Sequence, residues 1–171
     1  HEPFIYTRPK VVDFDGTPIL FLPWICDDNR EESLQILNTA KAEIIMGHLE
    51  IKGIEMQNGV INDYGNDKAD FKRYERVISG HFHKHTDDGQ IFYCGAQYEM
   101  TWSDYKDPKG FHIFDTETRE ITRISNPFTI HKKIVYDDKT KDYSNFDLKP
   151  YNEHFIKLIV LDPTKADFII S

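Results

Sequence analysis

Short apolar runs separated by polar, turn-rich segments recur along this chain and predict a series of β-strands. Apolar positions at helical spacing predict a helix from Arg30 to about Ala40, with Asn29 as its N-terminal cap. A second, short helix is predicted around Ala69–Tyr74, and residues 50–67 predict an irregular loop because turn-forming residues concentrate there. The predicted strands are Thr17–Trp24, Glu43–Met46, Val77–Gly80, Gln90–Cys94, Gly110–Asp115, Arg119–Ser125 and Phe155–Leu161.

The order of these elements indicates an α/β fold. The helices lie in the first half, the second half is mostly strands, and Gly110–Asp115 and Arg119–Ser125 predict a hairpin across residues 115–118. We therefore expect an α/β sandwich whose sheet ends in antiparallel strands. Composition shifts near Asn126-Pro127, so we predict one region of residues 1–127 and a second of residues 128–171.

Composition limits the function classes. The 171 residues, 39% of them hydrophobic, suit one domain or one domain plus a fragment of another. A net charge of −8 argues against holding nucleic acid by bulk electrostatics, although bound cations could reverse the sign locally. No apolar run approaches the roughly 20 residues that cross a bilayer. Cys26 and Cys94 have no paired spacing, and we interpret them as reduced, buried thiols of a cytoplasmic protein.

Three histidines carry the candidate chemistry. Gly47-His48 and Gly80-His81-Phe82-His83 each follow an apolar run, so the histidines lie where predicted strands end. Side chains two residues apart on an extended chain point the same way, and neutral imidazole is a common metal ligand. We predict His48, His81 and His83 as metal ligands; the alternative is loop histidines hydrogen-bonded to backbone.

Other candidates have simpler interpretations. His85 could extend the cluster into a zinc site, but no cysteine lies nearby, and we interpret it as a solvated loop residue. His112 alternates with apolar neighbours and is interpreted as a partly exposed sheet residue. Trp24 and Trp102 are interpreted as packing residues rather than platforms for base stacking.

The two Gly-His stretches, Gly95 and the segment Asp107–Phe111 together resemble the later motifs of calcineurin-like metallophosphoesterases. The segment of residues 110–118 narrows the resemblance to the DNA exonuclease subunits called SbcD in bacteria and Mre-eleven in eukaryotes. The version carried by T-even-type bacteriophages is the nearest in pattern. The early Asp-x-His, Gly-Asp and Gly-Asn-His motifs of the family do not occur in this sequence. The resemblance therefore implies the C-terminal half of a metallophosphoesterase-type α/β sandwich, residues 1–127, and the start of a capping domain, residues 128–171.

The resemblance also implies a mechanism. Family members use two divalent cations, most often Mn²⁺, to hydrolyse phosphodiester bonds. By resemblance His48 and His81 bind one cation and His83 binds the other. No catalytic residue is implied in this segment, because the bridging aspartate and the histidine that assists the leaving group belong to the early motifs.

The implied function is that of a nuclease subunit in DNA recombination and repair, with 3′–5′ exonuclease and endonuclease activity. Its implied partners are DNA, a second copy of the subunit and a coiled-coil ATPase of the SbcC type, with no membrane. The segment alone is expected to be inactive. Two alternatives stay open: a phosphoesterase acting on small phosphodiesters or phosphoproteins, and a non-catalytic scaffold that has lost its metal centre.

Overall fold

The structure, a computed structural model, describes residues 5–57 and 59–162 and consists of two compact units. One unit contains the chain up to Gln97 together with Asp107–Asn126. The other contains Tyr98–Lys106 and the chain from Pro127 onward. The structure thus assigns residues 98–106, which lie within the predicted first region, to the second unit. The identity of the second unit as the start of a capping domain stays a prediction, and residues 163–171 of that region lie outside the described residues.

The first unit is built mostly of strands, and the mixed α/β architecture predicted from the sequence is confirmed. Its strands are β1 (Lys10–Phe14), β2 (Thr17–Leu22), β3 (Ile44–Gly47), β4 (Glu55–Gln57), β5 (Val60–Ile61), β6 (Arg76–Ser79), β7 (Thr86–Asp87), β8 (Ile91–Tyr93), β9 (Gly110–Phe114) and β10 (Ile121–Ser125). Helix α1 spans Arg30–Thr39, and a 3₁₀ helix spans Lys68–Phe71. The predicted hairpin is confirmed, since β9 and β10 pair antiparallel.

The main sheet has the strand order β1-β2-β3-β6-β8-β7 among the described residues. Its inner strands β2, β3, β6 and β8 are parallel, and β1 and β7 add antiparallel strands at the two edges. Parallel strands end at the same edge of a sheet. Gly47 of β3 pairs with Ser79 of β6, so His48 and Gly80 leave the sheet side by side.

The core of the first unit lies against this sheet. Its members share near-complete burial and apolar character, as expected for parallel strands covered by other elements. They are Leu20, Leu22, Leu37, Ala40, Ala42, Ile45, Leu49, Ile51, Ile54, Phe71, Tyr74, Val77, Phe82, Ile91 and Tyr93. Leu49 and Ile51 belong to the segment that follows β3, so this segment is anchored in the core rather than lying free on the surface.

Two local predictions were wrong. Asn29 directly precedes α1, but its side chain does not cap the helix. Its amide nitrogen donates to the Trp24 carbonyl (2.8 Å), and its Oδ1 accepts from the Cys26 backbone N–H (3.0 Å), closing the turn that leads into the helix. The prediction that both cysteines are buried was the second wrong one. Cys26 is a free thiol that is exposed, and Cys94 is a free thiol that is half-buried.

The segment of residues 50–67 is more ordered than the predicted irregular loop. It contains the β4–β5 hairpin, and its Asn62 side chain is buried. The Asn62 amide donates to the carbonyls of Ile51 (3.3 Å) and Tyr64 (2.7 Å). The sequence analysis missed the β4–β5 hairpin because short strands joined by tight turns give little apolar periodicity.

The second unit contains β11 (His131–Tyr136) and β12 (Phe155–Val160), which pair parallel, and 3₁₀ helices at Trp102–Asp104 and Lys149–Tyr151. The buried Glu99 carboxylate accepts hydrogen bonds from the backbone N–H groups of Ile130 (2.7 Å) and His131 (2.8 Å). This contact ties residues 98–106 to β11. The sequence analysis missed β11 because its lysines place it in a charge-rich stretch.

The chain shows no membrane-crossing helix: among the described residues, none is both long and apolar enough to span a bilayer.

Tyr93 holds the segment that begins at His48. Its fully buried hydroxyl donates to the Leu49 carbonyl (2.7 Å) and accepts from the Ile51 N–H (3.1 Å). The Ser79 hydroxyl accepts from the Leu49 N–H (2.8 Å). Burial raises the pKa of Tyr93 above its usual value, so the hydroxyl remains protonated and able to donate.

Replacing Tyr93 by Phe should lower the free energy of unfolding by about 1–3 kcal/mol, because buried groups of Leu49 and Ile51 lose a partner. Urea unfolding of the two proteins measures the difference. Tyr64→Phe is the matched control, since Tyr64 is 77% exposed and should tolerate the change within about 0.5 kcal/mol. Equal stability of Tyr93→Phe and the unmodified chain would show that the hydroxyl does not hold this segment.

Candidate metal centre

The ends of β3 and β6 bring two of the predicted ligands together. The ring centroids of His48 and His81 lie 5.2 Å apart, with the ring planes nearly perpendicular at 77°. Gly80 makes this approach possible, because a Cβ at that position would lie 3.0 Å from His48 Nδ1. The glycine before His81 therefore leaves room for the ring of His48.

His81 has an unusual backbone conformation for a residue with a side chain. Its φ angle is +84°, in the region that favours glycine. Such a conformation costs on the order of 1–3 kcal/mol and persists only where the surrounding structure imposes it. At this position it directs the chain out of β6 beside His48.

His83 is held through its backbone. Its carbonyl accepts hydrogen bonds from the Ala96 N–H (3.0 Å) and from Nζ of Lys109 (2.9 Å). Lys109 is buried. Gly95 has a φ of +73°, and a Cβ there would lie 3.0 Å from the same carbonyl. The sequence analysis assigned no role to Gly95 or Lys109. In the structure, Lys109 donates a hydrogen bond to the His83 carbonyl, and Gly95 leaves room for that carbonyl.

The charge state of His81 suits metal binding. Partial burial, together with the nearby imidazoles of His48 and His83, holds the pKa of His81 below its usual value, and the Glu50 carboxylate acts in the opposite direction. A lowered pKa favours neutral imidazole, the form that binds metals. Glu50 was not among the predicted ligands, although it lies two residues after His48.

The described residues contain no complete metal site. Imidazoles suit Mn²⁺ or Zn²⁺, and Mn²⁺ also requires oxygen ligands. Within residues 5–57 and 59–162, no group of three or more His, Cys, Asp or Glu side chains is arranged to hold a metal ion. His48 and His81 would therefore be two ligands of a larger set. The ligand role of each of the three histidines stays a prediction.

Trp24 lies beside the two imidazoles. Its ring centroid is 4.7 Å from that of His81 and 5.9 Å from that of His48, yet the residue is 42% exposed. A cavity of about 230 Å³ opens next to it, with Arg30, Glu50 and Asn66 among its lining residues. Trp24 thus packs at the edge of the candidate site rather than in the core.

His85 and His112 form a separate pair. Their ring centroids lie 5.0 Å apart, Phe92 contacts both rings, and His85 Nδ1 lies 2.7 Å from the Tyr93 carbonyl oxygen. His85 is half-buried, so its interpretation as a solvated residue was wrong. His112 is a partly exposed sheet residue, as predicted, and burial, His85 and Arg123 hold its pKa below the usual value.

Two known proteins are similar in sequence to this chain. A protein named Exonuclease subunit 1, from Enterobacteria phage T4, is 38% identical over 143 residues, which cover 83% of this chain and 42% of that protein. The SbcD subunit of the nuclease SbcCD, from Staphylococcus saprophyticus subsp. saprophyticus, is 27% identical over 97 residues, which cover 52% of this chain and 25% of that protein. The chain is therefore similar to subunits of two nucleases. No protein-family model matches it.

The chain spans less than half the length of either of these two proteins. Most of each protein therefore has no counterpart in the aligned residues of this chain.

The strained backbone of His81 gives a test of this geometry. His81→Gly should be more stable than His81→Ala by about 1 kcal/mol, because only glycine adopts a φ of +84° without strain. Both variants lose the imidazole, so urea unfolding of the pair isolates the backbone effect. At His83, which has no positive φ, the order should reverse. If His81→Ala were the more stable variant, the described conformation of His81 would be wrong.

Proposed function

We propose that the protein is the nuclease subunit of a DNA recombination and repair complex and hydrolyses phosphodiester bonds with divalent cations. The observation that carries the proposal is the pairing of His48 and His81 at adjacent strand ends, in a chain related to an exonuclease subunit and to an SbcCD nuclease subunit. Imidazoles at the carboxyl edge of a parallel sheet occupy the usual position of a site in such a fold.

In this proposal two cations, Mn²⁺ by preference, are held in part by this chain. His48 and His81 would bind one cation and His83 the other, with oxygen ligands supplied from outside residues 5–57 and 59–162. When bound, a cation pair activates a water and stabilises the charge that develops on the attacked phosphate. The chain's own residues orient the ligands: Tyr93 and Ser79 fix the segment after His48, and Lys109 fixes the backbone at His83.

The proposed substrate is DNA. With a net charge of −8, the chain would repel DNA at long range unless cations reversed the local charge, so metal binding and DNA binding would be coupled. We further propose that the subunit works as a homodimer with a coiled-coil ATPase of the SbcC type, in the cytoplasm of a bacterium or a phage-infected bacterium.

A second candidate is a non-catalytic scaffold that retains the fold without a metal centre. The observation that favours it is that the described residues arrange no group of three or more His, Cys, Asp or Glu side chains around a metal position. A phosphoesterase that acts on small phosphodiesters would differ from the proposed nuclease only in its substrate preference. Both alternatives are distinguished by activity measurements on the full-length protein.

Substituting His48, His81 or His83 by Ala in the full-length protein should reduce Mn²⁺-dependent cleavage of double-stranded DNA by on the order of 100-fold or more, since each removes a metal ligand. His154→Ala, a histidine of the second unit, is the matched control and should retain activity. Cleavage of labelled duplexes over time, with circular dichroism to confirm folding, measures the effect. Near-normal activity of the His83 variant would reject its ligand role, and an inactive unmodified protein would favour the scaffold.

Residues 1–171 alone should show no detectable Mn²⁺-dependent cleavage of double-stranded DNA. The reason is that three imidazoles shared between two cations leave each cation short of oxygen ligands. Parallel assays of this chain and the full-length protein, with calorimetry for Mn²⁺, check the expectation. Tight stoichiometric Mn²⁺ binding together with turnover by this chain alone would contradict it.

A further inference from the structure

Trp24 lies at the candidate site in a way that core packing does not explain. The turn between β2 and α1 carries it, and the Asn29 amide holds the Trp24 carbonyl at 2.8 Å, so its backbone is fixed. Its ring contacts both His48 and His81, but 42% of the residue remains exposed. An exposed indole beside candidate ligands offers an aromatic surface to whatever those ligands bind.

The cavity next to Trp24 has a mixed, mainly polar lining. Arg30 brings a guanidinium, Glu50 a carboxylate and Asn66 an amide, while Leu49 supplies apolar surface. Its volume of about 230 Å³ lies below the roughly 300–1,000 Å³ of pockets that enclose whole drug-sized ligands. The cavity therefore suits a planar group with polar edges that is part of a larger ligand.

A nucleobase has these properties. Its π-face stacks on aromatic side chains, and its edges carry donors and acceptors that an amide or a carboxylate can bind. Arg30 can pair with a neighbouring backbone phosphate. Because the indole centroid lies 4.7 Å from that of His81, a nucleotide whose phosphate reaches the imidazoles could place a base against the tryptophan.

We propose that Trp24 and the adjoining cavity form a subsite for one unpaired nucleobase of the strand that is cut. This inference rests on the proposed nuclease function and adds a substrate feature to it: the end of the strand must be unstacked locally to reach the site. Stacking is tolerant of sequence, so the subsite would hold any of the four bases rather than select one.

The test uses the full-length protein with Mn²⁺ and short single strands whose phosphorothioate linkages resist cleavage. One strand is intact, and each of the others carries a single abasic residue at a different position. For the unmodified protein, one position of the series should weaken binding by roughly 5- to 150-fold, the range that base stacking on an aromatic side chain provides. Fluorescence anisotropy of a labelled strand gives the affinities.

Substitution of the tryptophan should remove this dependence. The Trp24→Leu variant should bind the intact strand as weakly as the unmodified protein binds the strand whose abasic residue weakens binding. In the variant, that abasic residue should cause no further loss of affinity. Trp24→Phe, which keeps a smaller aromatic face, should recover most of the affinity. Trp102→Leu, which changes the other tryptophan in this chain, should leave the abasic dependence intact.

Three outcomes would overturn the proposal. They are no abasic position that weakens binding, an equal loss for intact and abasic strands in Trp24→Leu, and loss of Mn²⁺ binding by Trp24→Leu in calorimetry. The last would show that Trp24 positions the imidazoles instead. The nuclease function is judged separately: no Mn²⁺-dependent cleavage by the unmodified full-length protein would reject that function, whereas normal cleavage by it with no abasic dependence would reject the subsite alone.

Discussion

The parallel pairing of β3 with β6 is the constraint on which the candidate site depends. It places Gly47 opposite Ser79, so the residues that follow both strands leave the sheet at one edge and at the same level. A shift of this register by one residue would turn the side chains to the other face of the sheet and separate His48 from His81. Ile45 and Val77 pair with each other in this register, and both are fully buried.

Beyond the ends of the strands, the structure uses hydrogen bonds and glycines to complete this arrangement. Tyr93 reaches across from β8 to bind both Leu49 and Ile51, so three neighbouring strands determine where His48 lies. Gly80 and Gly95 permit close approach at two points where any Cβ would be crowded. The strain at His81 is tolerated because these surrounding contacts are buried and satisfied.

Much of this was accessible from the sequence. Apolar runs predicted β2, β3, β6, β8, β9, β10 and β12, and the Gly-His stretches at strand ends identified the residues that the structure brings together. Sequence reasoning was weaker where contacts between distant segments decide the outcome. Asn29 had the residue type of a helix cap, but the Trp24 carbonyl and the Cys26 N–H took its hydrogen bonds. His85 was interpreted as a solvated loop residue because its contact with His112 requires the β9–β10 hairpin, which lies far along the chain.

Several carboxylates of the first unit are held in ion pairs. Asp87 pairs with Arg76 (2.7 Å), Asp88 with Lys68 (2.8 Å), Glu55 with Lys84 (2.7 Å) and Asp107 with Lys109 (2.6 Å). A carboxylate committed in this way would have to give up its cation before it could bind a metal. Glu50 differs, because it lines the cavity and acts electrostatically on His81. The edge of the sheet therefore presents two neighbouring imidazoles, with the Glu50 carboxylate near enough to act on His81.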